Sequence, residues 1–385
     1  MRKSLAIAGS IAQKPGRGGH TWVFLQYLLG FRKLGWDVMF LDRLEPEMCG
    51  GEAGTPLEHS ANARYFRDVM HRFGFDGSYA LLCDGGKSTI GLDRRQVVDR
   101  VAASEALINI MGFLDDAEVL AAARARVFLD IDPGFGHMWQ ALGLHETFAG
   151  HDRYVTIAED IGKATCTIPT CGLSWITTRQ PVVLDEWWAS PVLNTDAAIT
   201  SVGSWRGAYG PIAYRGTTYG LRAHEFRKFA ALPRLTERQF EIALDIGQAD
   251  SRDRDLLSGN GWSLVEPRAA AGDPWRYRDY IRASAAEVMV AKGMYVQTRS
   301  GWFSDRSICY LASGKPVIAQ DTGFGDSLPT GEGLLAFSTV EEAAEATRAI
   351  GRDYARHSVA ARRLAKEFFD SSKVLSSLAT RLEIS

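Results

Sequence analysis

The chain predicts an α/β protein built as two parallel-sheet domains facing each other across a cleft. Three observations carry that expectation. Apolar, strand-like runs alternate with helical recurrences through the first half; the alternation breaks at 181–195; and it starts again at 197. At 385 residues the chain also exceeds what one hydrophobic core usually organises.

The elements follow in order. Residues 4–10 form an apolar run ending in small residues, and Gly16, Gly18 and Gly19 make a flexible loop after it. Over 20–34, Trp22, Val23, Leu25, Tyr27, Leu28 and Phe31 recur at helical spacing, and Gly35 punctuates the end. The next strand is 37–42. Further strands are expected at 79–82, 106–111, 127–131 and 154–157, with helices around 59–73, 93–103 and 115–125. Pro181, Pro191 and the polar Asn194-Thr195-Asp196 read as a linker, with Trp187 and Trp188 packed against one domain. Beyond it come a strand at 197–202, helices at 222–230 and 236–243, and strands near 242–246, 262–265 and 294–297. A largely helical stretch follows over 341–383 with two short breaks. The expected domains are 1–190 and 191–365, with 366–385 a terminal helix returning to the first.

Composition narrows the partners. The chain is 46% hydrophobic and 23% charged, as in ordinary globular proteins. A net charge of -2 makes no electrostatic case for nucleic acid or an anionic membrane surface. No apolar run approaches the roughly 20 residues of a membrane span. MRKSLAIAGSIAQ has a basic start, but its short apolar core leads into the first strand, which reads as a mature cytoplasmic terminus rather than a signal peptide. Cys49, Cys83, Cys166, Cys171 and Cys309 are odd in number and scattered, so they are expected as reduced thiols. The expectation is a monomer or homodimer acting on small molecules.

The most informative stretch is 299–325, RSGWFSDRSICYLASGKPVIAQDTGFG. Ser304, Asp305, Arg306 and Ser307 stand where a helix should begin, and a helix N-terminus with its unpaired N–H groups suits an anion such as a diphosphate. Gly314 supplies the backbone freedom to end that helix. Pro316-Val317-Ile318-Ala319 reads as a buried parallel strand ending at Gln320, Asp321, Thr322 and Gly323. In open α/β sheets, ligands bind at such carboxyl ends.

With GGHTWVFLQYLLGFRKLGWDVMFLD (18–42), SGWFSDRSICYLASGKPVIAQDTG (300–323) and LPTGEGLLAFSTVEEAAEA (328–346), the chain resembles the GT-B glycosyltransferases. These are sugar transferases of two Rossmann-like domains that use nucleotide-sugar donors. The nearest resemblance is to bacterial group-1-like members of polysaccharide or natural-product pathways. It implies a hexosyltransferase-like enzyme with acceptor in the first domain and donor in the second. It implies no cofactor and no metal, only a nucleotide-diphosphate sugar as co-substrate, with uridine or deoxythymidine as the base. Donor contacts are then expected from Gly18, Gly19, Ser204, Trp205, Trp262 (stacked on the base), Pro267, Ser304, Arg306, Ser307, Asp321, Thr322 and Gly323. The acceptor pocket is expected from loops 43–60 and 133–151.

One departure shifts the expected mechanism. Many retaining members carry two glutamates eight apart, and counting back from Gly314 those places fall on Gly301 and Cys309. Neither is acidic, so Asp305, Arg306 and Asp321 must supply the polar chemistry, and inversion becomes the expectation. In inverting members a histidine after the first strand removes the acceptor proton. His20 occupies that place, with Asp132, or else Asp130, to orient it. Asp130-Ile131-Asp132 also spells a metal-holding triplet, but alternation sends its two side chains to the same side of a strand in any fold, and no metal is expected. The alternatives are a nucleotide-sugar 2-epimerase, which needs further acid/base carboxylates, and a non-catalytic sugar-binding module. A nicotinamide oxidoreductase is disfavoured, because Gly16-Arg17-Gly18-Gly19 is too compact for the dinucleotide fingerprint.

Overall fold

A computed structural model describes residues 3–49, 56–189, 195–207 and 209–384. The first sheet contains β1 (Ser4–Ala8), β2 (Asp37–Leu44), β3 (Tyr79–Cys83), β4 (Ser88–Gly91), β5 (Leu107–Ile110), β6 (Arg126–Asp130), β7 (Arg153–Thr156) and β8 (Trp175–Thr177). Its order is β4-β3-β2-β1-β5-β6-β7-β8, and only the edge pair β3–β4 is antiparallel. The second half holds β9 (Ile199–Ser204), β10 (Ile212–Tyr214), β11 (Thr217–Tyr219), β12 (Phe240–Asp245), β13 (Trp262–Val265), β14 (Ala286–Met289), β15 (Val317–Gln320) and β16 (Leu334–Phe337). Its sheet runs β13-β12-β9-β14-β15-β16, parallel throughout. β10 and β11 form a separate hairpin. Its two turn residues, Arg215 and Gly216, have φ of +49° and +79°, the left-handed pair that a tight hairpin requires.

Both sheets reverse strand order beside their first strand, between β1 and β5 and between β9 and β14. A crevice therefore opens at the carboxyl ends of each pair. The halves share one apolar interior running from Leu5 to Ile384. At its centre Trp22 of the helix Gly18–Lys33 packs on Trp187 at 4.9 Å, and its Nε1 donates to Pro274 O of the second half at 2.7 Å. Trp187 also meets Tyr277, so it packs against both halves rather than one. The chain then returns. Val182 N donates to Phe369 O, Ser371 N donates to Val182 O, and the helix Ser371–Arg381 lies on Gly18–Lys33. Gly30 permits that approach, since a Cβ there would stand 2.5 Å from Leu375. The domain boundary expected at 190/191, with Pro191 and Asn194, lies outside the described residues. Among the described residues, no helix is long and apolar enough to cross a membrane.

Two expected elements are corrected. Residues 294–297 belong to the helix Gly293–Thr298, and the strand is β14, eight residues earlier. β14 carries Ala286 and Glu287, poor strand formers alone, and is held by its parallel neighbours on both sides. The helix expected at 236–243 is absent; after a short turn at Leu232–Leu235 the chain extends into β12, paired on both edges.

Candidate functional site: the cleft between the sheets

The second domain brings unpaired positive charge to its crevice. β9 ends at Gly203-Ser204, and the absent side chain of Gly203 admits the Arg222 guanidinium; a Cβ there would lie 1.8 Å from Nη1. Arg222 opens the helix Arg222–Lys228. Its guanidinium has no hydrogen-bond partner among the described residues, and its Nε is fully covered. Burial, then the neighbouring Arg306, push its pKa down to about 10. Lys292 stands beyond β14 as the N-cap of Gly293–Thr298.

The first domain adds to the charge. Asp42, at the end of β2, accepts from Ala12 N at 2.6 Å and so ties down the loop that carries Lys14 and Arg17. Arg17 reaches across the cleft to Ser204 Oγ (3.0 Å) and to Asp245 Oδ2 (2.8 Å) at the end of β12. Burial lowers the Lys14 pKa, and the charges of Arg17 and Lys292 lower it further. Asp132 is a first-domain carboxylate bonded across this gap. It accepts from Lys292 Nζ at 2.8 and 2.6 Å and from the Tyr295 hydroxyl. Arg222 and Lys292 were missed in the sequence, although Arg222 follows Gly220-Leu221 at a helix start, and that signal was available.

The expected pairing of His20 with an aspartate is corrected. His20 lies near the start of Gly18–Lys33, edge-on to Phe24, with Nε2 3.0 Å from both Ser10 O and Ser10 Oγ. A carbonyl only accepts, so Nε2 carries the proton in the neutral ring. Burial, followed by the Lys14 charge, depresses its pKa to about 3, which leaves a weak base. Asp130 is taken by His137 Nε2 (2.9 Å) and Thr156 Oγ1 (3.0 Å) inside the first domain. Asp132 is taken by the second domain. The two carboxylates serve different partners, so they do not converge on one point.

Several expected donor contacts have other partners. Gly18 and Gly19 are closed over by the second domain: a Cβ on Gly18 would stand 2.1 Å from Asp273 O, and one on Gly19 2.7 Å from Tyr277. Trp262 is core, 3% exposed, its ring between Phe226 and Phe240 and its Nε1 donating to Ala230 O at 2.8 Å, so it presents no face to a base. Trp205 is likewise buried, with Nε1 on Asp253. Pro267 opens the short helix Pro267–Ala271.

The helix start at 304 forms as expected: Ser304 caps Asp305–Ala312 and accepts from Arg306 N. Arg306 does not face the cleft freely. It is 6% exposed, donates through Nε to the fully buried Glu287 and through Nη1 to Val202 O at 2.9 Å. The unrecognised carboxylate on β14 is the reason. Ser307 is buried beside it. Asp321 does stand at a strand end, half-buried, with Arg299 Nη1 at 3.5 Å, and its Oδ1 accepts from Gly323 N. Thr322 is buried and donates to Trp302 O. Asp160 of the first domain fills the space beside Gly301 and Gly323; a Cβ on either would meet its carboxyl at 2.9 Å. A cavity of about 520 Å3 opens at the opposite end of the second sheet, lined by Arg238, Gln239 and Ser263. It sits at the amino ends of β9, β12 and β13, away from where parallel sheets bind ligands, so the cleft is the better candidate.

Two Rossmann-like sheets, each with its switch point turned to a shared cleft and a terminal helix crossing back, define the GT-B fold, and this chain has it. Its structural neighbours are GT-B glycosyltransferases. The Anabaena protein HepE, solved with UDP-glucose, superposes at a TM-score of 0.59 with 12% identity over 99% of each chain. AviGT4, a glycosyltransferase involved in avilamycin A biosynthesis, gives 0.57 and 11% over 99% of this chain and 97% of its own. An alpha-glucosyltransferase in complex with UDP and DNA gives 0.59 and 11% over 100% and 99%. No protein-family profile matches the chain, and no curated protein does.

Proposed function

We propose that this chain transfers a sugar from a nucleotide-diphosphate sugar to an acceptor hydroxyl, with inversion and without a metal, in polysaccharide or natural-product biosynthesis. The observation that carries the reading is Arg222, an unpaired guanidinium laid on Gly203 at the switch point of the second sheet. An unsatisfied, partly buried charge is costly, and a diphosphate would pair with it bidentately. Arg17 donates to Ser204 Oγ beside Gly203, and Lys292 caps a helix whose Met294 N donates to Gly220 O, two residues before Arg222. Together they would offset the charge of a departing nucleoside diphosphate, the electrostatic help that such transfer needs. UDP or UDP-glucose bound to HepE and to the alpha-glucosyltransferase makes uridine the first nucleotide to try. Independence from metal is supported by the engagement of Asp130 with His137 and Thr156 inside the first domain, which leaves the triplet one carboxylate short. Inversion is supported by the missing glutamates at 301 and 309 and is read from the anomeric configuration of the product by NMR.

The test is calorimetric. Wild-type protein is expected to bind UDP, and Arg222→Ala to weaken it by about 2 kcal/mol, roughly 30-fold, while uridine binding is unchanged. Equal losses for UDP and uridine, or no binding of UDP or dTDP by the wild type, would overturn the assignment.

A further inference from the structure

Asp132 makes a contact that the donor would have to break. It lies two residues past β6 in the first domain, yet its partners, Lys292 and Tyr295, belong to the second. The pair is partly enclosed, with side chains 20% and 25% exposed. Lys14 and Tyr209 are close enough to feel the same carboxylate. Lys292 is held by Asp132 as the molecule stands, and a diphosphate beside Arg222, as proposed above, would compete for it.

We infer that Asp132 is the proton acceptor for transfer, masked by Lys292 until a nucleotide diphosphate draws that ammonium away. The inference rests on the glycosyltransferase reading. A carboxylate whose oxygens already accept from an ammonium and a phenol has little room for a third donor. Once Lys292 turns to the diphosphate, one oxygen faces the cleft and the Tyr295 hydroxyl still orients the group. The acceptor hydroxyl then gives its proton to Asp132, and its oxygen bonds to the anomeric carbon. The bond from that carbon to the β-phosphate oxygen breaks, its electron pair leaving on the nucleoside diphosphate beside Lys292 and Arg222. A base uncovered only by the donor would keep the acceptor from being activated in an empty site. His20, weakly basic and tied to Ser10, leaves this task open. Tyr295 is a positioning residue here, because it acts through Asp132.

The experiment pairs calorimetry with turnover for wild type, Asp132→Asn, Asp132→Glu and Tyr295→Phe. Turnover is followed as nucleoside diphosphate released from UDP-glucose, UDP-galactose or dTDP-glucose, with water as the default acceptor. Removing the charge of Asp132 frees Lys292, so Asp132→Asn is expected to bind UDP about fivefold more tightly. Its turnover is expected to fall by about 10²–10⁴. Asp132→Glu is expected to recover part of the turnover, and Tyr295→Phe to lower kcat with little change in KM for the donor. Opposite signs for binding and turnover are the signature, because a residue that merely braced the domains would weaken both. Asp132→Asn with turnover within threefold of wild type, or with weaker UDP binding, overturns the inference while the transferase reading stands. Should Asp132→Asn not fold, Tyr295→Phe decides: unchanged kcat overturns it. A wild type that binds no nucleotide overturns both.

Discussion

At the end of β1 the first domain closes on its own loop. His20 donates to Ser10 O, Ala12 N reaches Asp42, and Gly18 and Gly19 are covered by the second domain. At the end of β9, the topologically matching place, among the described residues Arg222 has no hydrogen-bond partner and the side chains of Ser204 and Lys292 are bonded from across the cleft. The two crevices arise from the same strand order, so the contrast comes from what fills them. In the first, His20 and Asp42 are bonded within their own domain; in the second, among the described residues, no hydrogen bond satisfies the Arg222 guanidinium. Strand order locates a candidate site; unsatisfied groups decide which candidate can take a ligand.

The sharpest way to break this contrast is through Arg306, which the sequence assigns to the ligand and the structure to the interior. Arg306→Ala strands Glu287 as a buried charge, whose pKa burial already raises. The expected outcome is a loss of about 3–5 kcal/mol of stability in urea unfolding. UDP affinity unchanged per folded molecule would keep Arg306 inside; a folded variant of normal stability that loses UDP would move it to the open side.

A smaller effect probes the first-domain crevice. The folded pKa of His20 lies near 3, below its ordinary 6.5, so between those values the unfolded chain binds more protons. Stability is fully present above pH 6.5 and falls as the pH drops towards 3, with a slope of at most about 1.4 kcal/mol per pH unit from this group. His20→Gln is expected to flatten that acid limb when unfolding free energies at pH 4, 5 and 7 are compared. An unchanged slope would mean that the ring stays hydrated and titrates outside the packed part of the crevice. The smallest effect concerns Trp262. Trp262→Phe is expected to cost about 1 kcal/mol through the lost bond to Ala230 O. Uridine affinity should be unaltered, and a drop would return the ring to the base.

The sequence by itself determined the alternation of strands and helices, the two-domain plan, the helix start at Ser304 and the strand end at Asp321. These depend on periodicity and on capping residues a few positions apart, which a linear chain displays directly. Only the tertiary structure decided which charged groups are spent inside. Glu287 claims Arg306 from 19 residues away, His137 claims Asp130, and Lys292 holds Asp132 across 160 residues. The same long-range packing turned 294–297 into a helix and 286–289 into a strand, and it placed Trp262 in the core. A polar side chain reads alike in sequence whether it meets a ligand or a buried partner, because the difference lies in which distant segment folds against it. Arg222 is the converse case: among the described residues no such partner arrives, and the charge stays available at the end of β9.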